Sequence, residues 1–229
     1  MKHAKIYLAL IVSIALLTLS CTTVPVTGRR QLNFIPANTM LSMSYQQYSQ
    51  FIKSNKLSTD QTKTRQVTDV GRKIQRAVEQ YFSENGMADR KKDYDWEFNL
   101  VKSKDVNAWC MPGGKVVFYT GILPYTRNED GVAVVMGHEI AHAVAAHGNE
   151  RMSHMLAVQF GGLALSVALA QRPGETQGLW MAAFGLGAQV GLLLPFSRLH
   201  EYEADRLGLT FIGKLGKLGT GSHFITYDM

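Results

Sequence analysis

Two histidines four positions apart with a glutamate beside the first, His138-Glu139-Ile140-Ala141-His142, form the stretch of this 229-residue chain whose residue types and spacing carry the clearest chemistry. On a helix of 3.6 residues per turn, positions four apart return to within about 40° of each other, so both imidazoles can reach one ion. Glu139, one step on, can sit beside that ion without ligating it. Zinc with three protein ligands keeps a place for water and lowers its pKa to around 7, and a neighbouring carboxylate can take the proton as the oxygen attacks a carbonyl. The chemistry implied is amide hydrolysis, with one Zn2+ per chain, His138 and His142 as ligands and Glu139 as general base.

A helix must carry this pattern, and local signals supply one. Asn128 is suited to the N-cap and Glu129 and Asp130 put negative charge in the first turn. Val132, Val135, Met136, Ile140 and Ala143 to Val144 then recur at helical spacing as far as Gly148. An apolar helix would bury two histidines and a glutamate at a cost unless a cation gave them a partner. His147 stands nine positions after His138, about 180° round an unbroken helix, so it reads as a surface or C-terminal histidine and not as a ligand. The longer H-E-x-x-H-x-x-G-x-x-H arrangement is not met, because Ala145 and Gly148 occupy the positions of its Gly and last His. His154 and His200 remain further ligand candidates.

Downstream, Ser197-Arg198-Leu199-His200-Glu201-Tyr202-Glu203-Ala204-Asp205 reads as a second helix, opened by Pro195 and capped by Ser197. Glu201 and Asp205 are four apart and share a face, while Glu203 points the other way. Glu201 is therefore the candidate third ligand, and Asp205, one turn on, can accept a hydrogen bond from a ligating histidine. On this reading Glu201→Ala loses metal and Glu203→Ala does not.

The two motifs in this order resemble the gluzincin-type zinc metallopeptidases that include HtpX, BepA, LoiP, the mitochondrial Oma peptidase and the CAAX prenyl protease. The bacterial envelope lipoprotein branch is the nearest in pattern. Val24-Pro-Val-Thr-Gly-Arg-Arg-Gln-Leu32, Asn107-Ala-Trp-Cys-Met-Pro-Gly-Gly114 and the Ser197-Arg198 lead-in fit that branch, and the likeness runs from about residue 21 to about residue 212. It implies an α+β fold, mostly helical and zincin-like, with a small β-sheet beside the active-site helix. It also implies His138, His142 and Glu201 as zinc ligands and Glu139 as base. The implied function is a zinc-dependent endopeptidase of the bacterial cell envelope acting on misfolded or misassembled envelope proteins. The alternative is a non-proteolytic assembly or chaperone-like factor with a structural or closed zinc site.

The remaining elements must position these residues. Asn107 to Gly121 reads as two strands joined at Pro112-Gly113-Gly114, just before the first motif helix, and a strand there can offer an edge to an extended peptide. Trp96 to Val101 alternates as a strand. Leu41, Tyr45, Tyr48 and Ile52 form one helical stripe, and Val67, Val70, Ile74, Val78 and Tyr81 another, with the polar Ser54 to Lys63 stretch between them.

Lys2 and Lys5, the apolar run Ile6 to Leu19 and then Ser20-Cys21 have the layout of a secretory signal over residues 1–20. A cysteine at the cleavage position resembles a lipoprotein signal with Cys21 as the acylated residue, although Thr18 stands where such signals usually carry Leu. The location expected is the periplasm-facing envelope, with the chain held to the membrane by an N-terminal lipid. Residues 21–229 suit a single metallopeptidase domain. Its net charge falls from +6 to +4 once Lys2 and Lys5 are set aside, and the basic residues are scattered, which gives no nucleic-acid footprint. With Cys21 acylated, Cys110 has no intrachain partner. Met155 to Ala170 and Gly178 to Phe196 are very apolar; they read as a helical hairpin at about 155–196 packed on the active-site helix, in preference to a membrane hairpin. The Gly213 to Ser222 stretch reads as too glycine-rich to continue a helix, giving a short, atypical C-terminal tail.

Overall fold

A computed structural model of the protein describes residues 21–24 and 27–217. The signal-like segment 1–20, and the tail expectation from residue 218 on, lie outside the described residues. The described chain forms two compact units. One combines the segment ending at Pro36 with Gly148–Arg198; the other combines Ala37–His147 with the segment beginning at Leu199.

The second unit is α+β and mostly helical. Helices α1 (Ala37–Ser54) and α2 (Gln61–Glu84) precede strand β3 (Glu97–Val101), the hairpin of β4 (Ala108–Met111) and β5 (Lys115–Tyr119), the short α3 (Leu123–Thr126) and helix α4 (Glu129–Val144). The sheet order is β3-β5-β4, with β3 parallel and β4 antiparallel to β5, so β4 is an edge. The turn between β4 and β5 is made by Gly113 and Gly114 at φ 84° and 81°, a region where a side chain would be strained.

Side-chain alternation divides the sheet into two faces. Val101, Val117, Trp109, Met111 and Tyr119 meet Tyr48, Phe51 and Ile52 of α1. On the other face lie the side chains of Phe98, Val116, Phe118, Ala108 and Cys110. There β3 meets α2, β4 meets α4, and α2 in turn packs on α4. The sequence stripe of α2 is fully realised, since Val67, Val70, Ile74, Val78 and Tyr81 are all buried. In α1 the buried set is Met40, Ser44 and Tyr48, so the stripe centres one residue earlier than expected.

In the first unit, β1 (Cys21–Thr23) and β2 (Arg30–Leu32) form an antiparallel pair. Helices α5 (His147–Leu169) and α6 (Gly174–Ala188) follow in the chain, and a π-helical turn over Gln189–Leu193 leads directly into α7 (Leu194–Lys217). Arg29 forks onto the fully buried Glu150 carboxylate with two 2.7 Å bonds. Asn149 Nδ2 donates to the Ile35 carbonyl, and the Phe34 N–H donates to Ser153 Oγ. The turn after Leu169 makes α5 and α6 an antiparallel pair, with Gly161 and Gly162 facing the Phe184 ring.

Three sequence expectations are corrected. Helix α7 does not start at Ser197; it runs on from the π turn, whose Leu194 N–H bonds to the Gln189 carbonyl. Pro195 has no N–H and crowds the preceding turn, and the wider π turn accommodates it without ending the helix. Glycines 213 and 216 do not stop α7, which reaches Lys217, because buried Phe211, Ile212 and Leu215 outweigh a propensity cost of about 1 kcal/mol per glycine. The apolar hairpin forms, yet its side chains are not packed away: Val167 is 69% and Leu179 71% exposed.

Candidate metal centre

Helix α4 is set by its own sequence. The Asn128 side chain accepts a 3.0 Å bond from the Gly131 N–H at the N-cap, and Glu129 and Asp130 occupy the first turn. Its buried face carries Val132, Ala133, Met136, Gly137, Ile140, Ala141 and Val144, which leaves His138, Glu139 and His142 at the margin of the core. Helix α7 crosses close by: a methyl group on Gly208 would lie 3.1 Å from the Gly137 carbonyl carbon and from the His138 nitrogen. That approach brings Glu201 and Asp205, two turns and one turn before Gly208, alongside the first motif.

Among the described residues, His138, His142 and Glu201 form one group able to hold a metal ion. The two Nε2 atoms are 3.0 Å apart, Glu201 Oε2 is 3.3 Å from His138 Nε2, and Glu201 Oε1 is 3.6 Å from His142 Nε2. Zinc bonds of about 2.0–2.1 Å to a tetrahedral donor set put neighbouring donors about 3.3–3.4 Å apart, so the three separations bracket the size zinc requires.

The hydrogen bonds behind the histidines fix which nitrogens point inward. His138 Nδ1 lies 2.9 Å from Asp205 Oδ1, and a carboxylate can only accept, so Nδ1 carries the proton and Nε2 presents a lone pair. A longer chain stands behind His142. Its Nδ1 is 3.0 Å from His147 Nδ1, and His147 Nε2 is 3.1 Å from Glu203 Oε2. Burial, with His200 and His142 nearby, pushes the His147 pKa well down and keeps it neutral. A neutral His147 that donates to Glu203 through Nε2 must accept at Nδ1, so His142 donates from Nδ1 and also turns an Nε2 lone pair inward. Two lone pairs 3.0 Å apart have no hydrogen bond to share, and a cation between them suits the arrangement.

His147 is thus neither a surface residue nor a helix C-terminus. Helix α4 ends at Val144, and Ala146 takes φ 59°, which redirects the chain and brings His147 back toward His142. It is 1% exposed and stacked on His200, with ring centroids 4.2 Å apart. Glu203 does point away from Glu201, as the helical phase requires, but into the core at 2% exposure and onto His147. Glu203 stays outside the donor group, as expected, yet it connects to that group through His147 and His142. No sequence signal marks the pair, since the partners lie 56 residues apart. His154 belongs to the other unit, where it abuts Glu150 and the Phe196 ring, and it is not in the donor group.

Burial pushes the Glu139 carboxyl up to about 7, with Glu201 adding to the rise and His138 opposing it. Its charge, secondary to burial, also raises the thiol of Cys110 on β4, the strand that packs on α4. Cys110 is half-buried and carries no disulfide.

Comparisons with known proteins agree with this geometry. Residues 69–223 match the profile of Peptidase family M48. The mitochondrial metalloendopeptidase OMA1 of Schizosaccharomyces pombe is 38% identical over 62% of this chain and 38% of its own length. OMA1 of Bos taurus is 29% identical over 83% of this chain and 36% of its own. The beta-barrel assembly-enhancing protease of Yersinia pestis is 29% identical over 53% of this chain and 25% of its own. The chain thus spans well under half the length of these relatives. With the profile covering more than half of the sequence and both motifs inside the matched region, the chain belongs to peptidase family M48.

Proposed function

We propose that the protein is a zinc-dependent endopeptidase in which His138, His142 and Glu201 hold one zinc ion and Asp205 orients His138. The observation that carries this reading is the convergence of three donor groups whose nearest atoms lie 3.0 to 3.6 Å apart, each histidine with its lone pair turned inward. Zinc bound there supplies a Lewis acid and brings the pKa of water to around 7. The chain supplies the rest. Glu139 accepts the proton of the attacking water at its carboxylate and returns it to the leaving amine, a role for which its raised pKa suits it. The free edge of β4 beside α4 can take an extended peptide by main-chain hydrogen bonds, which favours unfolded or misassembled proteins as substrates over one fixed sequence. Family membership favours this reading over a non-proteolytic assembly factor.

The proposed setting is the cell envelope, facing the periplasm, with residues 1–20 as a lipoprotein signal and Cys21 as the acylated residue of a single metallopeptidase domain. The beta-barrel assembly-enhancing protease among the similar proteins supports an envelope role. The test is zinc content together with casein cleavage. Glu139→Gln is expected to keep stoichiometric zinc and lose about 10²–10⁴ in rate, and Glu201→Ala to lose the metal. Full cleavage by Glu139→Gln would overturn the mechanism, and zinc retained by Glu201→Ala would overturn the ligand set.

A further inference from the structure

The α5–α6 hairpin is the feature of the fold that the metal centre leaves unexplained. Between Arg151 and Arg172, and again between Glu175 and Arg198, the sequence has no Asp, Glu, Lys or Arg. Both stretches are helical and long enough to cross a membrane, and almost none of either is buried. Phe160, Leu163, Leu179, Trp180 and Leu186 are exposed, an arrangement that water alone does not favour.

What covers such a surface follows from its pattern. A helix that lies in a protein groove shows one apolar face and one charged face. Here the residues between the large side chains are mostly Ala, Gly and Ser; Gln159 and Gln189 are isolated within the legs, and His154, Gln171, Thr176 and Gln177 lie at their ends, so no charged face exists on either leg. A solvent that surrounds the whole helix, the acyl region of a bilayer, matches this pattern better than a partner that touches one side. The legs meet through small residues, with Gly161 and Gly162 against Phe184, which is how helices approach in lipid. The exposed part of the first leg, 155–171, rises about 25 Å and the second leg, 176–197, about 33 Å, both within the range that spans the hydrocarbon core.

We propose that the α5–α6 hairpin crosses a lipid bilayer, with the turn at Arg172 to Glu175 emerging on the far side. A hairpin that only dipped would hold these two charges in the hydrocarbon, where each is costly, whereas a crossing hairpin returns them to water. Arg151 and Arg198 bracket the other ends of the legs. This inference stands apart from the zinc reading and from the lipid on Cys21.

The test uses the full chain reconstituted in phosphatidylcholine vesicles with bromine atoms midway along the acyl chains. Of the three tryptophans, Trp180 alone lies on the hairpin. Bromine is expected to remove one component of the emission, and Trp180→Phe is expected to lack that component. Equal quenching in both proteins, or none, overturns the proposal. In sealed vesicles, and with Cys21 and Cys110 replaced by Ser, Gly174→Cys should react with an impermeant maleimide only after detergent while the exposed control Asp69→Cys reacts without it; equal reaction of the two without detergent also overturns the proposal. If Trp180 is insensitive to bromine while the protein sediments as a dimer without lipid, a second copy covers this face and the membrane assignment fails. Zinc binding and casein cleavage are read separately, so loss of one reading leaves the other intact.

Discussion

His138 and His142 are backed in different ways, and the difference is measurable. Asp205, which accepts from His138, is 70% exposed at its side chain, whereas Glu203, at the end of the chain behind His142, is 2% exposed. Removing either carboxylate should weaken metal affinity about 10- to 100-fold, since each fixes a ligand's tautomer and ring angle. Only removal of Glu203 also strands the buried His147 N–H, at about 1–3 kcal/mol. Asp205→Ala is therefore expected to lower zinc affinity in a chelator competition with little change in the melting temperature of the metal-free protein. Glu203→Ala should lower both, and unchanged zinc affinity in Glu203→Ala would sink the role given to the His147–Glu203 pair. Helical phase made the pairs His138–His142 and Glu201–Asp205 legible in the sequence, and the meeting of the two pairs was implied by the family resemblance and not by phase. His147 and Glu203 were not legible, since their pairing depends on a backbone reversal at an alanine, which carries no left-handed signature.

That reversal belongs to the scale of elements. Ala146 sits at φ 59°, where an L-residue costs about 1–2 kcal/mol relative to the right-handed region and glycine does not. Ala146→Gly is expected to raise stability by up to about 1 kcal/mol in thermal melts, part of the gain being offset by glycine's greater freedom when unfolded. A clear fall in melting temperature would mean that the Ala146 methyl makes contacts worth more than the strain. The same local geometry hid the end of α4 from a reading based on periodicity, which carried the helix on to Gly148. By contrast α2, the β4–β5 hairpin and the Asn128 cap were predictable, each being specified by adjacent residues: an unbroken apolar stripe, a Pro-Gly-Gly turn, an acceptor beside a free N–H. Helix α7 ran past two glycines because packing outweighed propensity, and past Pro195 because the π turn before it made room for the ring.

Across the whole molecule, the proposed ligands come from two segments of one unit that are separated in sequence by the other unit, Gly148–Arg198. A metal held by His138, His142 and Glu201 closes that long loop, and its binding energy is added to the stability of the fold. At free zinc 1,000 times the dissociation constant the gain is about 4 kcal/mol, and 1 kcal/mol moves the melting temperature of a chain this size by about 2–4 °C. Stripping zinc with a chelator should lower the melting temperature by several degrees or more, and zinc should restore it; a melt indifferent to zinc would show that the three donors do not act as one site. At this scale the sequence was least informative. It marked the apolar stretches at about 155–196, but exposure, which distinguishes a packed hairpin from one facing lipid, depends on contacts that periodicity does not encode.

The bare crossing of Gly137 and Gly208 bears on how tightly a metal can be held. With no side chain on either helix at this point, the backbones that carry the histidines and Glu201 approach until a methyl on Gly208 would force its neighbours to give by a few tenths of an ångström. The crossing therefore sets how far the backbone under Glu201 stands from the backbone under the histidines. Gly208→Ala is expected to push α4 and α7 apart by a few tenths of an ångström and to weaken zinc binding in the chelator competition.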